Sequence, residues 1–509
     1  MSDFALQELK LIDPSMGSGH ILVYAFDVFM QLYEVEGESP RNAAELILKK
    51  NLFGLDIDQR AFQLAYFALM MKGRQYSRRI LSKNISPNVY AIPDNFGIGE
   101  AELQLLHMNF IDQEKAHQDI ITLVAGFKDS ADLGSLIKFT DIDFDNLRSG
   151  LQESDVSFFD QAISKMVNVG ELLQQKYHLA VTNPPYMGSS GMNKVLSAFV
   201  KKNYPDSKSD LFGVFIERLE KMIKSAGYYS MITQHAWMFL SSFEKLRIKI
   251  NHQTIINMAH LGTRAFEEIG GEVVQTTTFV MSPVKHKNYI GSYLRLVDFS
   301  NHKLKEKKVI EAIEAVSTDY FYKTLQDNFT KIPGQPISYW VSENLIHDFV
   351  VGKRMDEIVN PKQGLATADN NRFLREWWEV DLNKIKFDAT SISDSVTSGK
   401  KWFPYNKGGS FRRWYGNYDY VVNWENNGEE IRNFVDDKGK LRSRPQNTDY
   451  YFKEAITWSD VTSGDFSMRY REKGSVFDST GHSAFSSSYE NKLLSLIHIS
   501  EPTRRSYIS

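Results

Sequence analysis

Two stretches near the start of the chain repeat one grammar: a short apolar run, a turn, then a long amphipathic segment. LKLIDPSMGSGHILVYAFDVFMQLYE reads as strand, glycine turn, helix. NLFGLDIDQRAFQLAYFALMMK reads the same way, with a strand over Leu52–Ile57 and a helix whose apolar residues include Phe62, Tyr66 and Leu69. Short apolar strands alternating with helices pack into a parallel sheet covered on both faces. YHLAVTNPPYMG adds a strand stopped by a double proline, and LQLLHMNFI the end of another. LFGVFIERLEKMIKSAGYYSMITQHAW gives a helix closed by Gly227 and a further strand, and QTTTFVMSPV a late β-branched one. The expected class is α/β.

The text turns mixed and charged over 285–345 (KHKNY, NHKLKEKK). From about 346 onward, short β-like segments separated by Gly, Asn and Asp turns carry interleaved aromatic and basic residues. The expected division is therefore 1–290, a connector over 291–345, a region over 346–495, and an irregular tail over 496–509. That tail, within SLIHISEPTRRSYIS, fits nothing before it and resembles translated sequencing-adaptor text. A length of 509 residues accommodates about three such units.

Composition excludes several classes. With 60 Lys plus Arg against 63 Asp plus Glu, net charge −3, the chain is no histone-like polycation, although a local basic surface remains open. It has no cysteine, hence no disulfide framework, thiolate zinc site or cysteine nucleophile. No HExxH or clustered His pattern suggests a metal. The first residues lack a basic stretch followed by an apolar one, and no apolar run is long enough to span a bilayer, so a cytoplasmic protein without a membrane partner is expected. Aromatics reach 13%. Either a large core or a surface that stacks on flat bases accounts for them, and composition does not choose.

Three motifs carry chemistry. Asp13-Pro14-Ser15-Met16-Gly17-Ser18-Gly19-His20 lies between a strand and a helix, where Gly17 and Gly19 let backbone approach a ligand and the helix start offers free N–H groups. It lacks the third glycine of a dinucleotide fingerprint and the Lys-Ser/Thr of a P-loop. Asp56 ends the next strand, one β-α unit later, where a carboxylate can hold a ribose diol; Asp58 reads as a helix cap. Asn183-Pro184-Pro185-Tyr186 follows YHLAVT, at the carboxyl edge of the sheet. An adenine amine is a poor nucleophile because its lone pair is delocalised. The Asn183 Oδ1 and the Pro184 carbonyl can accept its two N–H bonds and free that pair, and the prolines fix both acceptors in advance. Tyr186 offers a flat face to a base taken out of the stack.

DPSMGSG, GLDID and TNPPY, in that order, resemble the amino-methyltransferase group of S-adenosylmethionine-dependent DNA methyltransferases. NPKQGLATADNNRFLREWWEV, KWFPYNKGGSFRRWYGNYDYVVNW and GKLRSRPQNTDYYFKEAITWS extend the likeness to the PglX-type adenine-specific methyltransferases of BREX phage-exclusion systems, over nearly the whole chain. The resemblance implies a Rossmann-like class I methyltransferase domain followed by an α+β DNA target-recognition region. It implies S-adenosylmethionine as cofactor, and double-stranded DNA and other phage-defence proteins as partners. By the same carry-over, Asp13, Pro14, Gly17 and Gly19 would hold the methionine moiety and Asp56 the ribose. Asn109 and Phe110 would flank the cofactor adenine, Asn183 to Tyr186 would form the catalytic loop, and Phe266 would sandwich the flipped base with Tyr186.

The family has a long region before the first motif, where twelve residues precede Asp13 here, so the chain is expected to be a fragment at both ends. No restriction-type nuclease motif precedes the methyltransferase, and cleavage is not expected. Lys400, Lys401, Lys407, Arg412 and Arg413 lie in a stretch without an acid, alongside Trp402, Phe403, Tyr405, Phe411, Trp414 and Tyr415. Lys400, Lys401, Arg412 and Arg413 are candidate phosphate contacts, and Arg442, Arg444 and Gln446 candidate base readers. Two other readings stay open: methylation of a glutamine side-chain amide, which Asn-Pro-Pro-Tyr serves equally well, and a non-catalytic DNA-binding subunit of a defence complex.

Overall fold

The computed structural model describes residues 5–99, 110–151, 158–266, 274–315, 318–353, 355–460 and 467–486. The chain divides into two compact units, Met1–Val350 and Val351–Ser509.

The first unit is built on a nine-stranded sheet. Its strands are β1 (Leu11–Asp13), β2 (Leu52–Asp56), β3 (Asn88–Ala91), β4 (Tyr177–Thr182), β5 (Ile223–Gln234), β6 (Thr254–Gly262), β7 (Thr276–Ser282), β8 (Ile290–Arg295) and β9 (Phe321–Leu325), in the spatial order 3-2-1-4-5-7-6-8-9. The first five are mutually parallel, and β7 runs antiparallel between β5 and β6. β1 and β2 are buried at every position, which is why they read as apolar runs without alternation. Helices His20–Val35 and Gln59–Tyr76 pack Leu22, Phe26, Phe29 and Leu69 into one core. Gln113–Gly126, Phe158–Gln174 and Leu211–Met222 contribute to another. This is the expected Rossmann-like, doubly wound class. Its order reverses between β1 and β4, and such a switch point opens a crevice at the carboxyl ends of the strands.

Gly227 does not close a helix. The helix ends at Met222 and β5 starts at Ile223, so Gly227 lies inside the strand. A Cβ there would stand 2.6 Å from the His178 carbonyl oxygen, beside a register shift in the β4–β5 pairing; glycine is required by the close approach of a neighbouring strand. The 291–345 stretch supplies β9, helix His302–Ala315 and nearly all of β8 to the edge of the sheet. The LQLLHMNFI segment lies outside the described residues except for its last two. No helix among the described residues is long and apolar enough to cross a membrane.

The second unit holds two four-stranded sheets. One joins β10 (Asn360–Lys362), β17 (Gly481–Phe485), β14 (Ala455–Ser459) and β15 (Arg469–Arg471); the other joins β11 (Leu374–Glu376), β13 (Tyr420–Asn423), β12 (Trp402–Asn406) and β16 (Val476–Phe477). Its core is aromatic, with Phe403, Tyr405, Trp424, Tyr451, Phe452 and Phe477 buried together.

The turn after β1 provides a test of this architecture. Gly19 has φ +85° and a Cβ would sit 2.9 Å from that of Ala65; Gly17 has φ +53° and nothing within 4 Å. Gly19→Ala therefore meets both backbone strain and the second helix, and should cost about 1–3 kcal/mol. Gly17→Ala meets strain alone and should cost less. Urea denaturation of the two variants checks the ranking.

Candidate active site at the β1–β4 switch point

The site is assembled by strand pairing. β1 and β4 run side by side with Ile12 opposite Ala180, so their last residues, Asp13 and Thr182, finish together at the carboxyl edge. The Thr182 hydroxyl donates to Asp13 Oδ1 at 2.6 Å, and the Ser15 N–H donates to the same oxygen at 3.1 Å. Asp13 is wholly buried, and its second oxygen, Oδ2, has no hydrogen-bond partner among the described residues. Burial pushes its carboxyl up to about 7; the bonds from Thr182 and Ser15 pull the other way, and the neighbouring charge of Asp56 adds to the rise.

One strand over, β2 ends in Asp56. Its Oδ2 accepts from the Gly17 N–H at 2.8 Å, and its Oδ1 from the Asp58 N–H at 2.8 Å. The glycine turn is thereby clipped to the second strand, and the Met16 N–H also donates to the Leu55 carbonyl at 3.0 Å. Asp58 caps the following helix, accepting from the Arg60 N–H at 2.8 Å, as its sequence position suggested. A cleft opens here, with Pro14, Asp56, Ile57, Ile92, Leu133 and Pro185 among its walls.

The loop after β4 forms the other lip. Asn183 and Pro185 are exposed, Pro184 is buried and Tyr186 half-buried. The Tyr186 hydroxyl donates toward Asn183 Oδ1 at 3.2 Å and toward the Ile232 carbonyl at 3.3 Å, and its ring meets Phe212 edge-on at 6.2 Å. Burial holds its phenol at about 12, so it stays a proton donor at neutral pH. Asp210 secures the far end of the loop. It accepts from the Met187 N–H at 3.1 Å while capping helix Leu211–Met222, so helix and loop share one anchor.

The structure thus brings Asp13, Pro14, Gly17, Asp56 and Pro185 to one edge. Phe110 is half-buried with its ring against Gly150, and Asn109 lies outside the described residues. Phe266 is half-buried in the loop after β6. Thr182 and Asp210 were not singled out in the sequence, although an Asp just before LFGVF is an N-cap signal. The wall at Leu133–Leu136 carried no sequence signal. Arg218 holds it from behind, donating to the Ser135 and Ile137 carbonyls, each at 2.8 Å.

In the second unit Lys400 donates to the Asn383 carbonyl and Lys401 lies 3.9 Å from Glu425. Arg412 and Arg413 are exposed, with no ion-pair partner among the described residues. Arg442 is exposed with its guanidinium over Phe434. Arg444 is exposed with its backbone pinned to Ala366 in both directions, and Gln446 donates to Gln363 at 3.5 Å.

Residues 50–266, which include Asp56 and the Asn183–Tyr186 loop, match the family model described as Eco57I restriction-modification methylase. Over its full length the chain is similar to curated proteins named adenine-specific methyltransferases. It is 45% identical over 524 residues to adenine-specific methyltransferase PglX of Lacticaseibacillus casei (strain Zhang), an alignment covering 100% of this chain and 43% of that protein. It is 37% identical over 534 residues to adenine-specific methyltransferase BrxX of Escherichia coli O9:H4 (strain HS), covering 99% of this chain and 42% of the relative. The chain spans less than half the length of these curated relatives. Among solved structures, the Type IIL restriction-modification enzyme MmeI in complex with DNA aligns over 95% of this chain and 57% of that one, with a TM-score of 0.49 and 11% identity.

The buried carboxyl makes a measurable prediction. Asp13 is protonated in the folded state up to about pH 7, whereas an unfolded Asp loses its proton near pH 3.9. Between those values the folded state binds the extra proton, so stability falls as pH rises, by about 1.4 kcal/mol per pH unit. Asp13→Asn removes this slope. The unfolding free energy of the wild type minus that of Asp13→Asn should decline from about pH 4 to about pH 7 and level off above; parallel curves would refute the assignment.

Proposed function

We propose that this chain carries the catalytic part of a cytoplasmic, site-specific DNA methyltransferase that modifies the N6 amine of adenine and works with other proteins of a phage-defence system. The observation that carries this reading is the convergence of the buried Asp13 and the Asn183–Tyr186 loop at one switch point, joined by the Thr182 bond. Its support from similarity is the full-length identity to relatives named adenine-specific methyltransferases.

The residues fit S-adenosylmethionine. Asp13 Oδ2 is a buried acceptor without a partner, suited to an ammonium group, and the left-handed Gly17 leaves open space where a side chain would stand. Both oxygens of Asp56 already accept one N–H each and keep a lone pair for ribose hydroxyls. Pro14, Gly19 and the start of helix His20–Val35 complete that end of the cleft, and Asn109 and Phe110 are proposed beside the adenine ring. When bound, the cofactor supplies an electrophilic methyl group on a sulfonium.

The chain's own part is to position the amine and accept hydrogen bonds from it. Asn183 Oδ1 and the Pro184 carbonyl accept the two N–H bonds of the flipped adenine. Tyr186 can give up its bond to Asn183 because the Ile232 carbonyl remains as an alternative acceptor, so no hydroxyl is orphaned. The Tyr186 ring, held edge-on against Phe212, stacks on the base, and Phe266 covers its other face. The chain has no cysteine, which excludes the nucleophile that methylation of cytosine C5 requires.

Asn183→Ala should slow methyl transfer to duplex DNA by a factor corresponding to about 2.7–4 kcal/mol, with cofactor affinity nearly unchanged. Tritiated-methyl incorporation and calorimetric titration measure the two. Nucleoside mass spectrometry identifies the product, and 4-methylcytosine as the main product would overturn the adenine assignment.

The second unit is proposed as the DNA reader. Arg412 and Arg413 are exposed with no ion-pair partner among the described residues, and each change to Ala should lower the log–log salt slope of DNA binding by about 0.9. Lys400→Ala and Lys401→Ala should lower it less, because those ammonium groups are already engaged. Changes at Arg442, Arg444 or Gln446 should alter which sites are modified. Binding isotherms at several salt concentrations, with site mapping alongside, decide this.

A further inference from the structure

The six aromatics of the basic stretch separate into two sets. Phe403 and Tyr405 are buried in β12, and Trp402 is half-buried beside them. Phe411, Trp414 and Tyr415 lie in the connection from β12 to β13 and are 43%, 37% and 54% exposed. Three large exposed rings thus fall within five residues.

This connection is held rigidly at its base. The Gly409 N–H donates to Ser459 Oγ, whose hydroxyl also points at the Gly409 carbonyl, both at 3.2 Å. The Ser467 hydroxyl donates to the Arg412 carbonyl at 2.8 Å, and Gly408 packs so close to the Thr480 carbonyl that a Cβ would stand 2.4 Å away. At the tip, the Tyr415 N–H donates back to the Arg413 carbonyl at 2.8 Å, and Trp414 between them has φ +69°. That is a three-residue γ-turn of the strained, positive-φ kind, which a bulky residue rarely adopts. Backbone bonds on both sides hold it there: Trp414 N–H to the Met468 carbonyl at 3.3 Å, and Tyr470 N–H to the Trp414 carbonyl at 2.7 Å.

A turn that needed only its backbone would be served better by glycine, and a tryptophan needed for packing would be buried. Neither account fits an exposed ring on a strained backbone, so the ring itself is the feature being presented. What it faces is set by charge. Arg412 and Arg413 flank it, Arg413 lies over the Phe411 ring at 5.5 Å, and no acid occurs from Lys400 to Tyr415. A polyanion with flat faces satisfies both properties.

We propose that Phe411, Trp414 and Tyr415 form a preorganised aromatic wedge that stacks into an opened base step of duplex DNA. The proposal rests on the reading of the second unit as a DNA-binding region. It goes beyond phosphate contact by assigning the rings to bases, as apolar wedges do in proteins that kink DNA.

The experiment uses the full chain and a mixed-sequence duplex carrying 2-aminopurine at successive positions. Trp414→Gly removes the ring while suiting the left-handed backbone, and Trp414→Phe keeps a ring. Phe411→Ala and Tyr415→Ala complete the set. Trp414→Gly and Tyr415→Ala should each weaken binding on the order of tenfold or more, with the salt slope unchanged, because stacking releases no counterions. Trp414→Phe should retain most of the affinity. The 2-aminopurine signal at the opened step should vanish in Trp414→Gly, whose melting temperature should equal or exceed that of the wild type. Wild-type affinity in Trp414→Gly, or a marked fall in its melting temperature, would overturn the wedge. If Arg412→Ala still lowers the slope in that case, DNA binding stands and only the wedge fails; if the wild type binds no duplex at any salt concentration, the DNA reading fails and takes the wedge with it.

Discussion

One hydrogen bond sits where the first unit is organised, from the Thr182 hydroxyl to Asp13 Oδ1 at 2.6 Å. It joins the ends of the two parallel strands between which the strand order reverses. Parallel pairing of β1 and β4 fixes how far each strand runs, and so fixes that the glycine turn and the proline loop leave the sheet from neighbouring points. The same carboxyl is buried with one oxygen unpaired, and that raises its pKa. An unpaired buried oxygen is costly in an empty fold and useful in a site, because a ligand group that pairs with it recovers the desolvation penalty.

Anchors around this bond make the edge stiff. Asp56 clips the glycine turn, Asp210 clips the proline loop, and Arg218 ties the Leu133–Leu136 wall to the helix that Asp210 caps. Each is a polar side chain satisfying backbone groups that the loops would otherwise leave open.

The second unit uses its aromatic content in two ways. Most rings fill a core between strands too short to bury much aliphatic surface, with Arg471 enclosed over Phe477 and Phe485. Phe411, Trp414 and Tyr415 remain outside, on the connection from β12 to β13, as do Trp377, Trp378 and Phe387 elsewhere in the unit. Composition alone merged these sets, since percentages do not distinguish a ring in β12 from one five residues beyond its end.

The sequence by itself determined the local elements and their order. Fully apolar runs marked β1 and β2, glycine and double proline marked the turns, and the spacing of Asp13, Asp56 and Asn183 put each at a strand end. Those are short-range properties, governed by backbone sterics and by which side chains must leave water. Tertiary structure decided what depended on neighbours distant in the chain. Gly227 became a strand residue because the His178 carbonyl lies beside it. The charged 291–345 stretch supplied edge strands because the sheet offered unpaired backbone there. Thr182 and Asp210 gained their roles only from the groups packed against them. Hydrogen bonds and close approaches between separate segments leave no periodicity in the text, and Thr182 to Asp13, 169 residues apart, is the clearest case.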